Sequence, residues 1–141
     1  MIAGYLTGTP HPTGAESVNC NLTAAGETDI HLSLAPSPRA TEYEGIVVEL
    51  IHQHRPAGWT TAKLLAITTR HIPVLVTGQL FYDSKHFINA CPGVPQRAEQ
   101  PKRFSLWEVH PMHRFLVCST KDCDMEDLDT EGWIELRAWA P

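Results

Sequence analysis

Apolar and polar residues alternate along several short segments of the chain, a pattern typical of half-buried β-strands. In TDIHLSL (28–34), Ile30, Leu32 and Leu34 fall on one face while the residues between them are polar. GIVVELIH (45–52) is rich in β-branched residues, which favours a strand. The same criteria predict further strands at residues 2–7, 72–83, 103–110, 113–119 and 133–139.

One segment has helical rather than strand spacing. Across residues 59–70, apolar side chains recur at intervals of three and four residues, beginning at Trp59 and including Leu65. Thr60 or Thr61 stands where the N-cap of a helix is expected. We therefore predict one short helix in this segment.

The order of these elements predicts a fold. Three strands, the helix and two more strands lie in 141 residues, a length typical of one domain. A five-stranded barrel with a helix between its third and fourth strands is the OB arrangement, and Gly78 suits the bending of so small a barrel. We predict a mainly β single domain, residues 1–141, comprising an OB-like five-stranded barrel and a C-terminal extension at residues 120–141, formed by an acidic loop and an edge strand.

Charge is unevenly distributed along the chain. The net charge is −5, and because six acidic residues lie within residues 122–131, the rest of the chain is close to neutral. This is not the basic surface expected of a strong duplex-DNA binder. The acidic segment does not match a calcium-binding EF-hand, since the sixth position counted from Asp122 is Asp127 rather than glycine. We expect a solvated loop there.

Hydropathy and cysteine content bear on the environment of the protein. No run approaches the ~20 apolar residues of a membrane span, and the first residues lack the pattern of a signal peptide. We therefore expect no membrane association. The cysteines are Cys20, Cys91, Cys118 and Cys123, without a C-x-x-C pair. Free thiols in a reducing compartment and disulfides in any of three pairings are both left open.

Acidic and histidine residues recur in and beside the predicted strands. Asp29 and His31 are two residues apart, as are Glu108 and His110, so each pair shares one face of a strand. Converging carboxylates and imidazoles form either a divalent-metal site or an acid–base pair. The alternative is structural, a His–carboxylate hydrogen bond that only fastens neighbouring strands. The candidate cluster is Asp29, His31, Glu49, Asp83, Glu108 and His110, with His31 and His110 as candidate metal ligands.

A second set of residues suits ligand binding. OB-like domains bind oligonucleotides on the face of strands two and three and in adjoining loops, using basic and aromatic side chains. Phe81, Tyr82 and Trp107 are either core residues or a stacking platform for such a ligand. The candidate ligand-binding residues are Arg55, Asp83, Lys85, His86, Lys102 and Arg103.

The segment HQHRP (52–56) offers another candidate pair of metal ligands. His52 and His54 share one face if the preceding strand continues through them. Two imidazoles need a third ligand to hold zinc or copper, which Cys20 or Cys91 would have to supply. The alternative is a pair of surface histidines at the end of a strand.

Four segments together resemble a group of uncharacterised small bacterial proteins. VTGQLFYDSKHF (76–87) and FSLWEVHP (104–111) match its V-T-G-x-L-x-x-D and L-W-E-I-H-P patterns, with Val109 in place of isoleucine. DIHLSL (29–34) and IVVEL (46–50) are similar as well. The resemblance covers about residues 20–118 and implies an OB-like fold, and it implies no particular reaction.

Three classes of function are open on this evidence. The first is an OB-like module that binds a single-stranded nucleic acid or another extended polar ligand. The second is a hydrolase that uses the His/carboxylate cluster either for acid–base chemistry or, with a divalent metal as cofactor, for metal-dependent chemistry. The third is a protein-interaction module with an exposed sheet edge. Binding predicts basic and aromatic residues on one face, catalysis predicts acids and histidines within a few ångströms, and a protein partner predicts an exposed apolar patch.

Overall fold

The computed structural model describes residues 1–24, 26–86, 103–120, 122–128 and 131–141. Within these residues the strands are β1 (Ile2–Pro12), β2 (Ile30–Ala35), β3 (Ile46–Leu50), β4 (Pro73–Tyr82), β5 (Trp107–Cys118) and β6 (Trp133–Glu135). The helix α1 spans Thr61–Thr69, between β3 and β4. Single 3-10 turns lie at Ser17–Asn19, Glu42–Glu44 and His52–His54.

The first five strands close into a barrel. The order along the sheet is β3-β2-β1-β4-β5-β6, and these neighbours are antiparallel. A parallel pairing of β3 with β5, at Val48 and Val109, joins the two edges of the five-stranded sheet. The structure therefore confirms the predicted mainly β class, the OB-like barrel with its helix between strands three and four, and the C-terminal extension.

The interior of the barrel is apolar. Alternate residues of β2, β3 and β5 point inward, and Leu32, Val48 and Val109 on these strands are 5%, 0% and 4% exposed. On β5 the inward Phe115 is also fully buried, and its ring meets that of Trp59 edge to face at 6.0 Å between centroids. Alternation between this apolar side and the outer side is what the strand pattern of the sequence predicts.

The helix α1 begins as predicted but buries a different set of residues. The Thr60 side chain accepts a hydrogen bond of 3.3 Å from the Lys63 N–H, which makes Thr60 the N-cap. Leu64 and Ile67 are fully buried, whereas Leu65, expected on the apolar stripe, is 45% exposed. No helix in the described part of the chain is long and apolar enough to cross a membrane.

The strand β1 is longer than predicted, running to residue 12 rather than residue 7. Its register against β2 shifts between residues 7 and 11. Gly8 lies there with φ +73°, a conformation that glycine adopts without steric penalty. Beyond the shift, pairing resumes with His11 opposite His31. Because the glycine and prolines of this segment are typical of loops, the extension was not predicted.

The strand β5 runs through Pro111, where the sequence predicted a break. Proline has no N–H to donate to a neighbouring strand, and the register of β4 against β5 shifts around Gly78 at this point. A Cβ atom on Gly78 would lie 2.5 Å from the Pro111 carbonyl oxygen and 3.0 Å from the Met112 Cα. The close approach of the two strands therefore requires glycine at position 78.

The C-terminal extension is fastened to the barrel. Cys118, at the end of β5, forms a disulfide with Cys123, which resolves one of the pairings left open by the sequence. Cys20 is an exposed free thiol, and Cys91 lies outside the described residues. The strand β6 ends at residue 135 rather than 139, although Leu136 and Trp139 beyond it are buried.

Candidate functional site

A row of side chains crosses the outer face of the barrel from β1 to β4. In order, each contacting the next, the row comprises His11, His31, Glu49, His110 and Phe81. The rings of His11 and His31 are 5.7 Å apart, and His31 Nε2 pairs with Glu49 Oε1. His110 Nε2 lies 3.4 Å from Glu49 Oε2, and the rings of His110 and Phe81 are 5.4 Å apart. We call these five residues the cross-strand row.

Strand pairing explains why the row forms. His31 on β2 is opposite both His11 on β1 and Glu49 on β3. The parallel pairing of β3 with β5 then brings His110 beside Glu49. Within the predicted cluster, the structure thereby brings together Asp29, His31, Glu49, Glu108 and His110, while Asp83 lies at the end of β4 in an adjoining network.

The carboxylates of this face are buried and its imidazoles are partly open to solvent. Asp29, just before β2, is 0% exposed, and Glu49 is 4% exposed. The side chains of His31 and His110 are 20% and 13% exposed. A ligand arriving from solvent would therefore meet the imidazoles first, with negative charge behind them.

Asp29 and Glu49 each use one carboxylate oxygen to fix the position of the side chain. Asp29 Oδ1 accepts a hydrogen bond of 3.0 Å from the His52 backbone N–H. Its Oδ2 faces His110 Nε2 at 4.0 Å and has no hydrogen-bond partner among the described residues. Glu49 similarly directs Oε1 to His31 and Oε2 toward His110. One oxygen of each carboxylate is therefore left facing the same point.

The pair of His31 and Glu49 shifts the pKa values of both groups. Burial of the ring lowers the pKa of His31, but the hydrogen bond and negative charge of Glu49 outweigh it and hold that pKa above 6.5. Burial raises the pKa of Glu49, but its hydrogen bond and ion pair with His31 outweigh it and hold that pKa below 4.5. Each member of the pair therefore stabilises the charged form of the other.

A second network ties the end of β4 to the start of β5. Arg103, 1% exposed, donates from NH1 to Asp83 Oδ2 at 2.9 Å, and the same nitrogen lies 3.7 Å from Glu108 Oε2. Asp83 also pairs with the His86 ring. Burial raises the pKa of Asp83, but the bonds from His86 and the Lys85 N–H, with the charges of His86 and Arg103, outweigh it and lower that pKa. We call Asp83, His86, Arg103 and Glu108 the loop-base network.

Glu108 lies between the loop-base network and the cross-strand row. It is 3% exposed, and burial, followed by the negative charge of Glu49, raises the pKa of Glu108 to about 7, with Arg103 acting in the opposite direction. The face thus carries one carboxyl that changes its protonation near neutral pH beside one that stays ionised. This contrast is typical of acid–base sites and of structural ion-pair networks alike.

The predicted ligand-binding residues fall in different settings. The Arg55 guanidinium donates to the carbonyl oxygens of Gly26 and Thr28, at 3.1 Å and 3.2 Å, so it fastens the segment before β2. Arg55 also lines a cavity of about 370 Å³ that contains none of the cross-strand row. Arg103, Asp83 and His86 belong to the loop-base network, Lys85 is exposed beside it, and Lys102 lies outside the described residues.

His52 and His54 do not share one face of a strand, because β3 ends at Leu50 and the two histidines lie in a 3-10 turn. His54 is exposed, while His52 turns its ring toward Asp29, with Nδ1 3.7 Å from Oδ1. The contribution of His52 to the site is its backbone N–H. That role, and the presence of His11 in the row, had no signal in the sequence.

Several large apolar side chains are exposed where β4 ends and β5 begins. Leu80, Phe81, Tyr82, Phe104 and Trp107 are 66%, 46%, 50%, 58% and 50% exposed. Tyr82 and Trp107 are opposite each other in the β4–β5 pairing, with rings edge to face at 5.1 Å. These aromatic residues are therefore not part of the core. We call Phe81, Tyr82, Phe104 and Trp107 the aromatic end of the β4–β5 ribbon.

Comparison of this chain with protein-family models, curated proteins and solved structures yields no match. The resemblance to small bacterial proteins therefore stays a prediction. The fold and the geometry described above are the basis for assigning a function.

Proposed function

We propose that this domain binds single-stranded nucleic acid through the aromatic end of the β4–β5 ribbon. The observation that carries the proposal is the pair of Tyr82 and Trp107, half-exposed on a ribbon that extends from an OB-like barrel. Bases stack on exposed aromatic rings regardless of sequence, each stack contributing about 1–3 kcal/mol. Phe81 and Phe104 offer two further rings near the same end.

The charge distribution favours a weakly held single strand over a duplex. The chain carries a net charge of −5, and Arg55 and Arg103 are engaged within the protein. Lys85 remains exposed near the aromatic end. With few cations near the aromatic end among the described residues, we expect stacking to dominate and the affinity to fall only modestly with salt.

The direct test is binding of a fluorescently labelled thymidine 15-mer, followed by fluorescence anisotropy at low and moderate salt. Trp107→Ala should weaken binding about tenfold, in the range expected for the loss of one stacked base. Leu65→Ala is the matched control, because Leu65 is 45% exposed on α1 and lies outside the proposed surface. Equal affinity of the Trp107→Ala variant and the unaltered protein would refute the proposal, as would the absence of binding.

A hydrolase is the second candidate, favoured by the proximity of acids and imidazoles around Glu49. Carboxylate–imidazole pairs within hydrogen-bond reach perform general acid–base catalysis when a substrate can approach them. Incubating the labelled 15-mer with the protein and analysing the products by electrophoresis tests this candidate. Cleavage that is lost in His31→Gln would support it, whereas an intact oligonucleotide would exclude this substrate class.

A protein-interaction module that uses an exposed sheet edge has less support. Closure of the barrel pairs both edges of the five-stranded sheet, and a paired edge cannot accept a strand from a partner. In the described part of the chain the sheet continues only to β6, which has three residues. An exposed edge of that length offers few backbone hydrogen bonds to a partner.

A further inference from the structure

We infer that Asp29, Glu49 and His110 form a binding site for one divalent transition-metal ion on the outer face of the barrel. One ligand atom from each of the three residues lies within 4.8 Å of the other two. The three residues come from the position just before β2, from β3 and from β5. This inference is independent of nucleic-acid binding, since it concerns other residues and its test contains no nucleic acid.

The separations of the ligand atoms suit a metal ion. Two atoms bound about 2.1 Å from a tetrahedral ion lie about 3.4 Å apart. His110 Nε2 and Glu49 Oε2 are 3.4 Å apart, and His110 Nε2 and Asp29 Oδ2 are 4.0 Å apart. The second separation exceeds the ideal by about 0.6 Å and is too long for a hydrogen bond.

The unsatisfied carboxylate oxygen of Asp29 is an independent indication that this site binds a cation. It is fully buried, its Oδ1 is held by the His52 N–H, and its Oδ2 has no hydrogen-bond partner among the described residues. Leaving a buried carboxylate oxygen unsatisfied is costly, so such oxygens normally meet a donor or a cation. Because this oxygen faces His110 and Glu49, a cation between the three residues would satisfy it.

The surroundings also match the outer shell of a metal site. Ligating side chains are usually oriented by a second hydrogen bond. The His52 N–H orients Asp29, and the His31 ring orients Glu49. His31, predicted from the sequence as a ligand, is therefore assigned to the outer shell, because its Nε2 is already paired with Glu49.

The ligand set defines the class of ion. Two carboxylate oxygens and one imidazole nitrogen suit zinc, cobalt, manganese or iron in the divalent state better than magnesium or calcium, which take oxygen ligands. Three protein ligands leave at least one coordination position for water or another ligand. A metal ion here would also bring positive charge to a face whose buried groups are mainly carboxylates.

The test is titration of the untagged full chain, stripped of metal with a chelator, with Zn²⁺ or Co²⁺ by calorimetry and by visible absorption of Co²⁺. We expect one equivalent to bind and the Tm to rise. Asp29→Asn should weaken metal binding by about 100-fold or more. Because His31 is an outer-shell partner, His31→Gln should weaken metal binding about 10–100-fold. Asp124→Asn, in the acidic segment, should leave the affinity unchanged.

Three results would overturn the inference. The first is no saturable binding of either ion by the unaltered protein. The second is stoichiometric binding that persists undiminished in Asp29→Asn and in His110→Gln. The third is binding lost in Asp124→Asn, which would assign the ion to the acidic segment.

A measurement on the unaltered protein guards against variants that fail to fold. Bound Co²⁺ is paramagnetic and, through a direct bond, should shift the ring proton resonances of His110 far more strongly than those of the exposed His54. Shifts confined to other histidines would contradict the proposed site.

Discussion

Where β3 pairs with β5, the inner and outer sides of the sheet are both buried, yet they are chemically opposite. Val48 and Val109 on the inside are 0% and 4% exposed, and their outward neighbours Glu49 and Glu108 are 4% and 3% exposed. Burying apolar area stabilises a fold by about 25 cal/mol per Å², whereas burying charges carries a desolvation cost that pairing often only offsets. The inner side therefore accounts for stability, and we expect the outer side to serve recognition or chemistry.

The largest loss of stability should come from removing a large side chain from the interior of the barrel. Phe115→Ala removes a fully buried ring from the barrel interior and should lower the free energy of unfolding by about 3–5 kcal/mol. Urea denaturation followed by circular dichroism measures the change. A loss below about 1 kcal/mol would mean that the interior is not the main source of stability.

A smaller loss of stability should follow from forcing apart β4 and β5, which approach each other closely at Gly78. Gly78→Ala introduces a Cβ that meets the backbone at Pro111, so we expect a loss of about 2 kcal/mol. Gly14→Ala is the matched control, because a Cβ there meets nothing within 4 Å. Equal Tm values for the two variants would contradict the close approach of β4 and β5.

The outer side should make stability depend on pH. The pKa of Glu108 is about 7 in the folded protein and 4.5 ordinarily, so between these values the folded state keeps a proton that the unfolded state releases. Stability should therefore fall as pH rises from 4.5 to 7 and then level off. The raised pKa of His31 acts in the same direction, since its contribution is present below pH 6.5 and lost as pH rises through its folded pKa.

Replacing Glu108 isolates its part of this dependence. Urea denaturation of metal-free protein between pH 5 and 8 should show Glu108→Gln gaining stability relative to the unaltered protein as pH rises. The gain should be on the order of 1–2 kcal/mol after allowance for solvent screening. Parallel pH profiles for the two proteins would show that Glu108 ionises at its ordinary pKa.

The smallest effect on stability should come from replacing the outer ion pair as a unit. The double variant His31→Met with Glu49→Met substitutes apolar side chains for both partners, so we expect less than about 1 kcal/mol of change. The same variant should lose the metal affinity inferred above. A loss of several kcal/mol would show that the pair is structural and would remove the distinction between the two sides.

The sequence was sufficient for the order of the strands and helix, but not for the full extent of β1 and β5 or for how the site is assembled. Alternation identified His31 as an outward residue, and its cross-strand pairing with Glu49 follows from antiparallel neighbours. The meeting of Glu49 with His110 depends on the parallel closure of the barrel, which no local pattern encodes. The setting of Arg55 was not predicted for a related reason, since its partners are backbone carbonyls that a sequence does not display.

The parallel pairing of β3 with β5 also has a consequence for folding. Residues 50–109 lie between Glu49 and His110, so these side chains meet only after the two ends of a long stretch of chain have come together. Contacts between distant residues form slowly, because the entropy of closing a large loop is lost before the contact contributes. The contact of Glu49 with His110 would therefore be among the last parts of the molecule to form, and no fragment ending before β5 could contain it.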